Sequence, residues 1–221
     1  MKFERLLKSR SFWKRVFLYC LGLFVMAMGV SFAVKSNLGI SPVNSIPYIL
    51  SRVTGLEQGN LTTAVFCFFI LLQLLILRKE FKLHYMFEII CALLFGKFVT
   101  LSNWMISFTV PQSYPIRLLF TCVSIFLVAV GMTLYLCADL IPQPAEGLCL
   151  AIEKKSGWKY SNIKTVFDCS LVAVAALITL LATGSLSGMR EGTVLTMLSV
   201  GKLIGFFMSK FKAPLLSFIG K

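Results

Sequence analysis

The chain has 221 residues, 57% of them hydrophobic, with a mean hydropathy of +0.84 and a formal net charge of +13. An ordinary soluble domain is excluded, because the apolar residues gather into uninterrupted runs long enough to cross lipid. The basic surplus flanks those runs in clusters, so it speaks for membrane topology and against nucleic acid as a partner.

A basic tail over residues 1–15 carries Lys2, Arg5, Lys8, Arg10, Lys14 and Arg15. Val16–Val34 is the first apolar run; it is long for a signal-peptide core and is echoed later in the chain, so it is expected to stay as a span. Prolines at 42 and 47 break the chain beyond that run, and Pro42 is well placed to open a short amphipathic helix over Val43–Val53 that stops at Gly55. Further spans are expected at Leu61–Leu77 and Tyr85–Leu101, separated by Arg78, Lys79 and Lys82. Leu118–Cys137 is the fourth apolar run, followed by a second proline-broken segment and a short helix over Ala145–Ser156 that stops at Gly157. Lys154, Lys155, Lys159 and Lys164 lie between the fourth run and the fifth, Ile163–Ala182, and Lys210, Lys212 and Lys221 come after the last, Thr193–Met208. Each run has about 16 to 20 residues, near the roughly 20 a helix needs to cross hydrocarbon. With both termini cytoplasmic, all four basic clusters share one side; the other face keeps Lys35, Arg52, Arg117 and Arg190.

The chain also contains itself twice. A slide of 102 positions lays Phe17–Leu77 over Leu119–Thr179 without a gap, pairing Cys20 with Cys122, Gly29 with Gly131, Pro42 with Pro144, Gly55 with Gly157 and Asn60 with Asn162. After a shift of three, Gly96-Lys97 falls on Gly201-Lys202. Two halves with three spans each enter the bilayer in opposite senses, a common plan for transporters with the site where the halves meet. The expected architecture is all-α: one membrane domain over 1–221, six transmembrane helices as two inverted repeats (16–108 and 117–209), with re-entrant or amphipathic helices after spans one and four.

The two irregular segments carry the candidate site. Broken backbone at membrane depth is tolerated only where protein buries it or a water-filled cavity accepts its polar groups. Helix N-termini aimed inward offer unpaired N–H groups to a polar or anionic ligand. Ser41, Pro42, Asn44 and Ser45 in the first segment, with Gln143, Pro144 and Glu146 in the second, are therefore candidate solute-binding residues. The bland reading is two polar loops with surface helices, and the apolar stretches Ile46–Leu50 and Leu148–Ile152 weigh against it.

Ionisable groups inside spans are costly and are functional candidates by default. Lys97 and Lys202 each follow a repeat-matched glycine and are candidates to balance charge at the site, against snorkelling or structural pairing as alternatives. Glu146 and Asp168 are the coupling-ion candidates, although Lys164 one turn before Asp168 allows a plain salt bridge at a span end. Glu88 lies about half a turn of helix from Lys97 and four residues from His84, close enough to the surface for an interfacial role. Trp13, Trp104, Tyr114, Trp158 and Tyr160 fall near span ends, where an aromatic belt belongs. The seven cysteines are odd in number and form no CxxC, so they read as small packing residues with neither disulfide frame nor metal site. No Gly-rich phosphate loop, HExxH, GxSxG or paired histidine is present, so neither an enzyme nor a cofactor is expected.

The run Asn37-Leu38-Gly39-Ile40-Ser41-Pro42, with Thr54-Gly55-Leu56, Gly59-Asn60, Asp139-Leu140-Ile141-Pro142, Gly147-Leu148, Gly192-Thr193 and Gly201-Lys202, resembles the YczE/YyaS/YitT group of bacterial inner-membrane proteins, the YczE-like branch above all. The resemblance implies a bacterial cytoplasmic-membrane placement and supplies no substrate. The second half departs from the first, with Ile141-Pro142-Gln143 where the first has Gly39-Ile40-Ser41. The expectation is a small-molecule transporter or permease binding a polar or anionic solute between the repeats. The alternatives are a substrate-binding subunit of a multi-component importer and a non-transporting regulator or scaffold. Membrane lipid is an expected partner, and the short length is compatible with a homodimer.

Overall fold

The structure is a computed structural model that describes residues 10–81, 83–184 and 190–219. Lys2, Arg5, Lys8, Lys82, Lys221 and the side chains of Arg10 and His84 lie outside the described residues. The described chain folds into α1 (Arg10–Ser36), α2 (Pro42–Thr54), α3 (Gln58–Leu77), α4 (Phe87–Met105), α5 (Tyr114–Ala138), α6 (Pro144–Ser156), α7 (Tyr160–Thr183) and α8 (Glu191–Phe218). Two 3₁₀ turns, Arg78–Glu80 and Leu83–Met86, link α3 to α4, and no strand occurs among the described residues. Six helices are long and apolar enough to cross a membrane, and α2 and α6, with 13 residues each, are too short. Large apolar side chains such as Phe68, Leu75, Leu181 and Leu198 are exposed on the outer surface, as lipid contact requires.

The helix boundaries repeat. Ser36 and Ala138 end α1 and α5, Pro42 and Pro144 open α2 and α6, Thr54 and Ser156 close them, and Gln58 and Tyr160 open α3 and α7, each pair 102 positions apart. Local chemistry explains the match. Asn37 and Asp139 stop the long helices in the left-handed region, at φ 52° and 50°, which short polar side chains tolerate best after glycine. Ser41 and Gln143 cap the short helices in extended conformation ahead of a proline, and Gly55 and Gly157 end them at φ 74° and 71°. Two boundaries differ from the sequence reading. α1 begins at Arg10, inside the expected tail, and α8 runs past Met208 to Phe218.

α1 and α5 form the centre, packed along their length and running antiparallel. A methyl on Gly22 would lie 2.7 Å from Gly131 O, and one on Gly29 would lie 3.0 Å from Ser124 O. Gly22 and Ser124, and Gly29 and Gly131, are repeat equivalents, so these two contacts exchange when the halves are exchanged. Small residues allow this approach where lipid offers no hydrophobic drive between helices. Outside the centre, α4 packs on α1 and α8 on α5. The short helices cross over: α2 rests on α7 of the other half, and α6 rests on α3.

Candidate functional site

The crossing brings both proline-opened N-termini to one place. A cavity of about 400 Å³ is lined by Ser41, Pro42 and Asn44 at the start of α2, and by Gln143 and Glu146 at the start of α6. Lys164, Thr165 and Asp168 of α7 close one side. The remaining walls are largely apolar: Met26 and Val30 from α1, Val128 and Met132 from α5, and Met197, Leu198, Val200 and Ile204, with Thr196 and Gly201, from α8. Ser41 and Gln143, and Asn44 and Glu146, are repeat equivalents.

Several polar atoms here have no protein partner. Asn44 and Gln143 are only 5% and 4% exposed, and Asn44 Oδ1 and Gln143 Nε2 make no hydrogen bond. Asn44 Nδ2 donates to Ser41 Oγ at 3.0 Å, so the amide is held with its acceptor end unused. A buried polar group left unpaired costs about 1–3 kcal/mol. Lys164 Nζ pairs with Asp168 Oδ1 at 2.6 Å, one helical turn apart, and its charge also reaches Glu146. Glu146 is 7% exposed and makes no ion pair among the described residues.

Behind α6 lies a second polar cluster. Gln73 Nε2 donates to Glu88 Oε2 at 2.7 Å and to Pro144 O at 3.1 Å, and a methyl on Gly147 would lie 2.7 Å from both Glu88 carboxylate oxygens. Glu88 is therefore fully buried, which corrects its expected interfacial place: the face of α4 that carries Cys91, Ala92, Phe95 and Val99 into the core carries Glu88 as well. The far end of α6 is tied down at the surface, where Lys154 donates to Glu80 Oε2 at 2.8 Å and Lys155 pairs with Glu80 Oε1. That hydrogen bond holds Lys154 above the ordinary lysine range.

Of the sequence-predicted residues, Ser41, Pro42, Asn44, Gln143, Glu146 and Asp168 meet around the cavity. Pro144 is buried beside it and turns its carbonyl to Gln73, and Ser45 is buried against Leu171 O of α7. Lys97 and Lys202 do not join them. Gly96 takes the inward position of its helix and turns Lys97 out, into a separate pocket with Gln58, Thr100 and Asn103, and Lys202 is exposed on α8. Lys164, which the sequence reading places in a basic loop, is the lysine at the cavity. The signal for it is its spacing of four from Asp168. All seven cysteines are free, and no group of three metal-ligating side chains occurs among the described residues.

Six helices able to span a membrane among the described residues, four of which wall a polar-ended cavity together with the two short helices, define a multi-pass α-helical membrane protein. Residues 13–209 match the family described as "Family of unknown function (DUF6198)", and the chain belongs to that family. It is 24% identical over 189 residues to the "Uncharacterized membrane protein YczE" of Bacillus subtilis (strain 168), covering 85% of this chain and 82% of that protein. It is 25% identical over 191 residues to the "Uncharacterized protein YyaS" of the same organism, covering 86% and 90%. No solved structure matches.

Proposed function

We propose that the protein is a small-molecule permease of the bacterial cytoplasmic membrane, binding a polar solute between two inverted three-span repeats. One observation carries the reading: the equivalent first turns of α2 and α6, from different halves, converge on a single cavity with unpartnered polar atoms. The antiparallel run of α1 and α5 and their exchangeable contacts support inversion, because equivalent helices then point in opposite directions. α6 is read as re-entrant. Its first turn meets Gln73 within α3, and its last turn meets Glu80 beyond the end of α3. α2 is read in the same way, with Ser45 against Leu171 midway along α7.

In this reading Asn44 Oδ1 and Gln143 Nε2 hold the solute, and the N-terminal N–H groups of α6 act on Glu146 in its own first turn. Glu146 and Asp168 are the coupling groups, and both termini face the cytoplasm with the basic clusters. The lysines Lys97 and Lys202 no longer argue for an anion, since neither lines the cavity. The protein acts without cofactor or chemical conversion. Uptake of a metabolite panel into proteoliposomes tests the reading. Flux of at least one solute is expected, reduced at least tenfold in Asn44→Ala/Gln143→Ala. Uptake by the Glu146→Gln and Asp168→Asn variants that equals the parent without a proton gradient would sink proton coupling. Stable copurification with an ATPase module, and no flux without it, would transfer the cavity to the importer-subunit reading.

A further inference from the structure

The charges around the cavity do not balance. Two carboxylates, Glu146 and Asp168, face one lysine, Lys164, and Asp168 occupies that lysine at 2.6 Å. Glu146 shares the field of Lys164 and accepts from the Gln143 backbone N–H, but it has no ion-pair partner of its own, so a positive group on the solute would complete a buried carboxylate that is otherwise costly. Asn44 Oδ1, an unpartnered acceptor on a residue 5% exposed, lines the same end and favours a donor. The rest of the wall is apolar and adaptable, with Met26, Met132 and Met197 among its residues. Leu198, another lining residue, is 61% exposed, and α7 and α8 are not closely packed, so the apolar side opens at the bilayer face.

The geometry points to an organic monocation on an apolar body, an aliphatic or aromatic amine, with its ammonium on Glu146 and Asn44 and its body along α8. This rests on the permease reading and names the solute class for that same cavity. The cation and the carboxylate desolvate together, and Gln143 Nε2 is left to steer polar groups on the solute that accept hydrogen bonds.

The test compares three short probes of one chain length, n-hexylammonium, n-hexanoate and n-hexanol, by thermal unfolding of the full chain in detergent. Binding to the folded state raises the midpoint, by more the greater the excess over Kd. Hexylammonium is expected to raise it and hexanoate to leave it unchanged. Glu146→Gln is expected to lose the rise while folding at least as stably as the parent. Lys164→Met, which frees Asp168 as a second anion, is expected to keep or enlarge the rise even though its own midpoint is lower. A rise with hexylammonium that survives Glu146→Gln overturns the assignment, as does equal stabilisation by hexanol. Stabilisation by hexanoate that is lost in Lys164→Met overturns the cation and leaves the permease standing. No response to any probe overturns the cation as well, and the proteoliposome panel then decides the permease separately.

Discussion

The seam between the second and third spans of each half closes in one half and stands open in the other. Between α3 and α4, Gly59 and Gly96 let the backbones touch, so that a methyl on Gly96 would lie 2.6 Å from Gly59 O. Thr63 Oγ1 bonds across the seam to Ala92 O at 3.3 Å, and Phe66 stacks on Phe95 at 5.7 Å with rings 5° from parallel. Between α7 and α8 the equivalent residues are Ser161, Gly201, Thr165, Asp168 and Val200. There a methyl on Gly201 would meet nothing within 4 Å, Thr165 Oγ1 turns back to its own helix at Ser161 O, and Asp168 and Val200 line the cavity. The same helical frame is thus a sealed joint in one half and the wall of a chamber in the other. What decides between them is a stacked aromatic pair in place of a carboxylate.

Breaking the sealed joint is expected to cost most. Phe66→Ala removes a fully buried ring and should cost about 3–5 kcal/mol in a chemical-denaturation series. A survival of Phe66→Ala within about 1 kcal/mol of the parent, on the order of a surface change, would deny that the stack seals the seam. Gly96→Leu overpacks the same joint and should cost about 1–3 kcal/mol, and more if the helices cannot part. Lys164→Met strands Asp168 in the open seam; because the pair is partly exposed, about 2 kcal/mol is expected, below the roughly 3–5 of a fully buried pair. Lys164→Met/Asp168→Leu should recover most of that loss. Gly201→Leu, facing open space, should change stability by under about 0.5 kcal/mol. If the open seam closes during a transport cycle, the same variant stops flux, so loss of uptake with an unchanged midpoint sharpens the comparison. Smallest of all, Glu80→Gln removes an exposed cluster with Lys154 and Lys155 and should leave the midpoint near the parent's, with any shift vanishing in high salt.

Much of this was legible in the residues. The 102-residue slide placed the broken segments, and proline followed by a short apolar helix and a glycine stop located α2 and α6 to within a residue or two. Six site residues came from that pattern and from the charge count within spans, because helix starts are written locally, in caps and prolines. The lysines were misplaced for a physical reason. Repeat matching singles out Lys97 and Lys202, but Gly96 takes the contact with α3 and puts Lys97 about 100° round the helix, away from it, while Gly201 meets no neighbour and Lys202 beside it is exposed. The helical period of Glu88, Cys91, Ala92, Phe95 and Val99 marks the inward face of α4, and it carries Glu88 inward and Lys97 outward. Grouping Lys164 with the basic cluster between the fourth and fifth runs misses its place at the cavity, because α7 already begins at Tyr160 and carries Lys164 on the same face as Asp168. The difference between the two seams comes from pairs such as Phe66 with Phe95, whose meeting depends on packing between helices that no single-strand pattern records.

The crossing of the short helices, α2 onto α7 and α6 onto α3, sets the order in which the protein can be made. A ribosome releases α2 about a hundred residues before α7 exists, and at roughly 5–20 residues per second that interval lasts on the order of ten seconds. During it, a proline-opened segment too short to span waits beside the translocation machinery without the surface it is destined to cover. The first half is therefore an unfinished intermediate until the second is synthesised, and a chain cut between α4 and α5 should yield fragments that accumulate together or not at all.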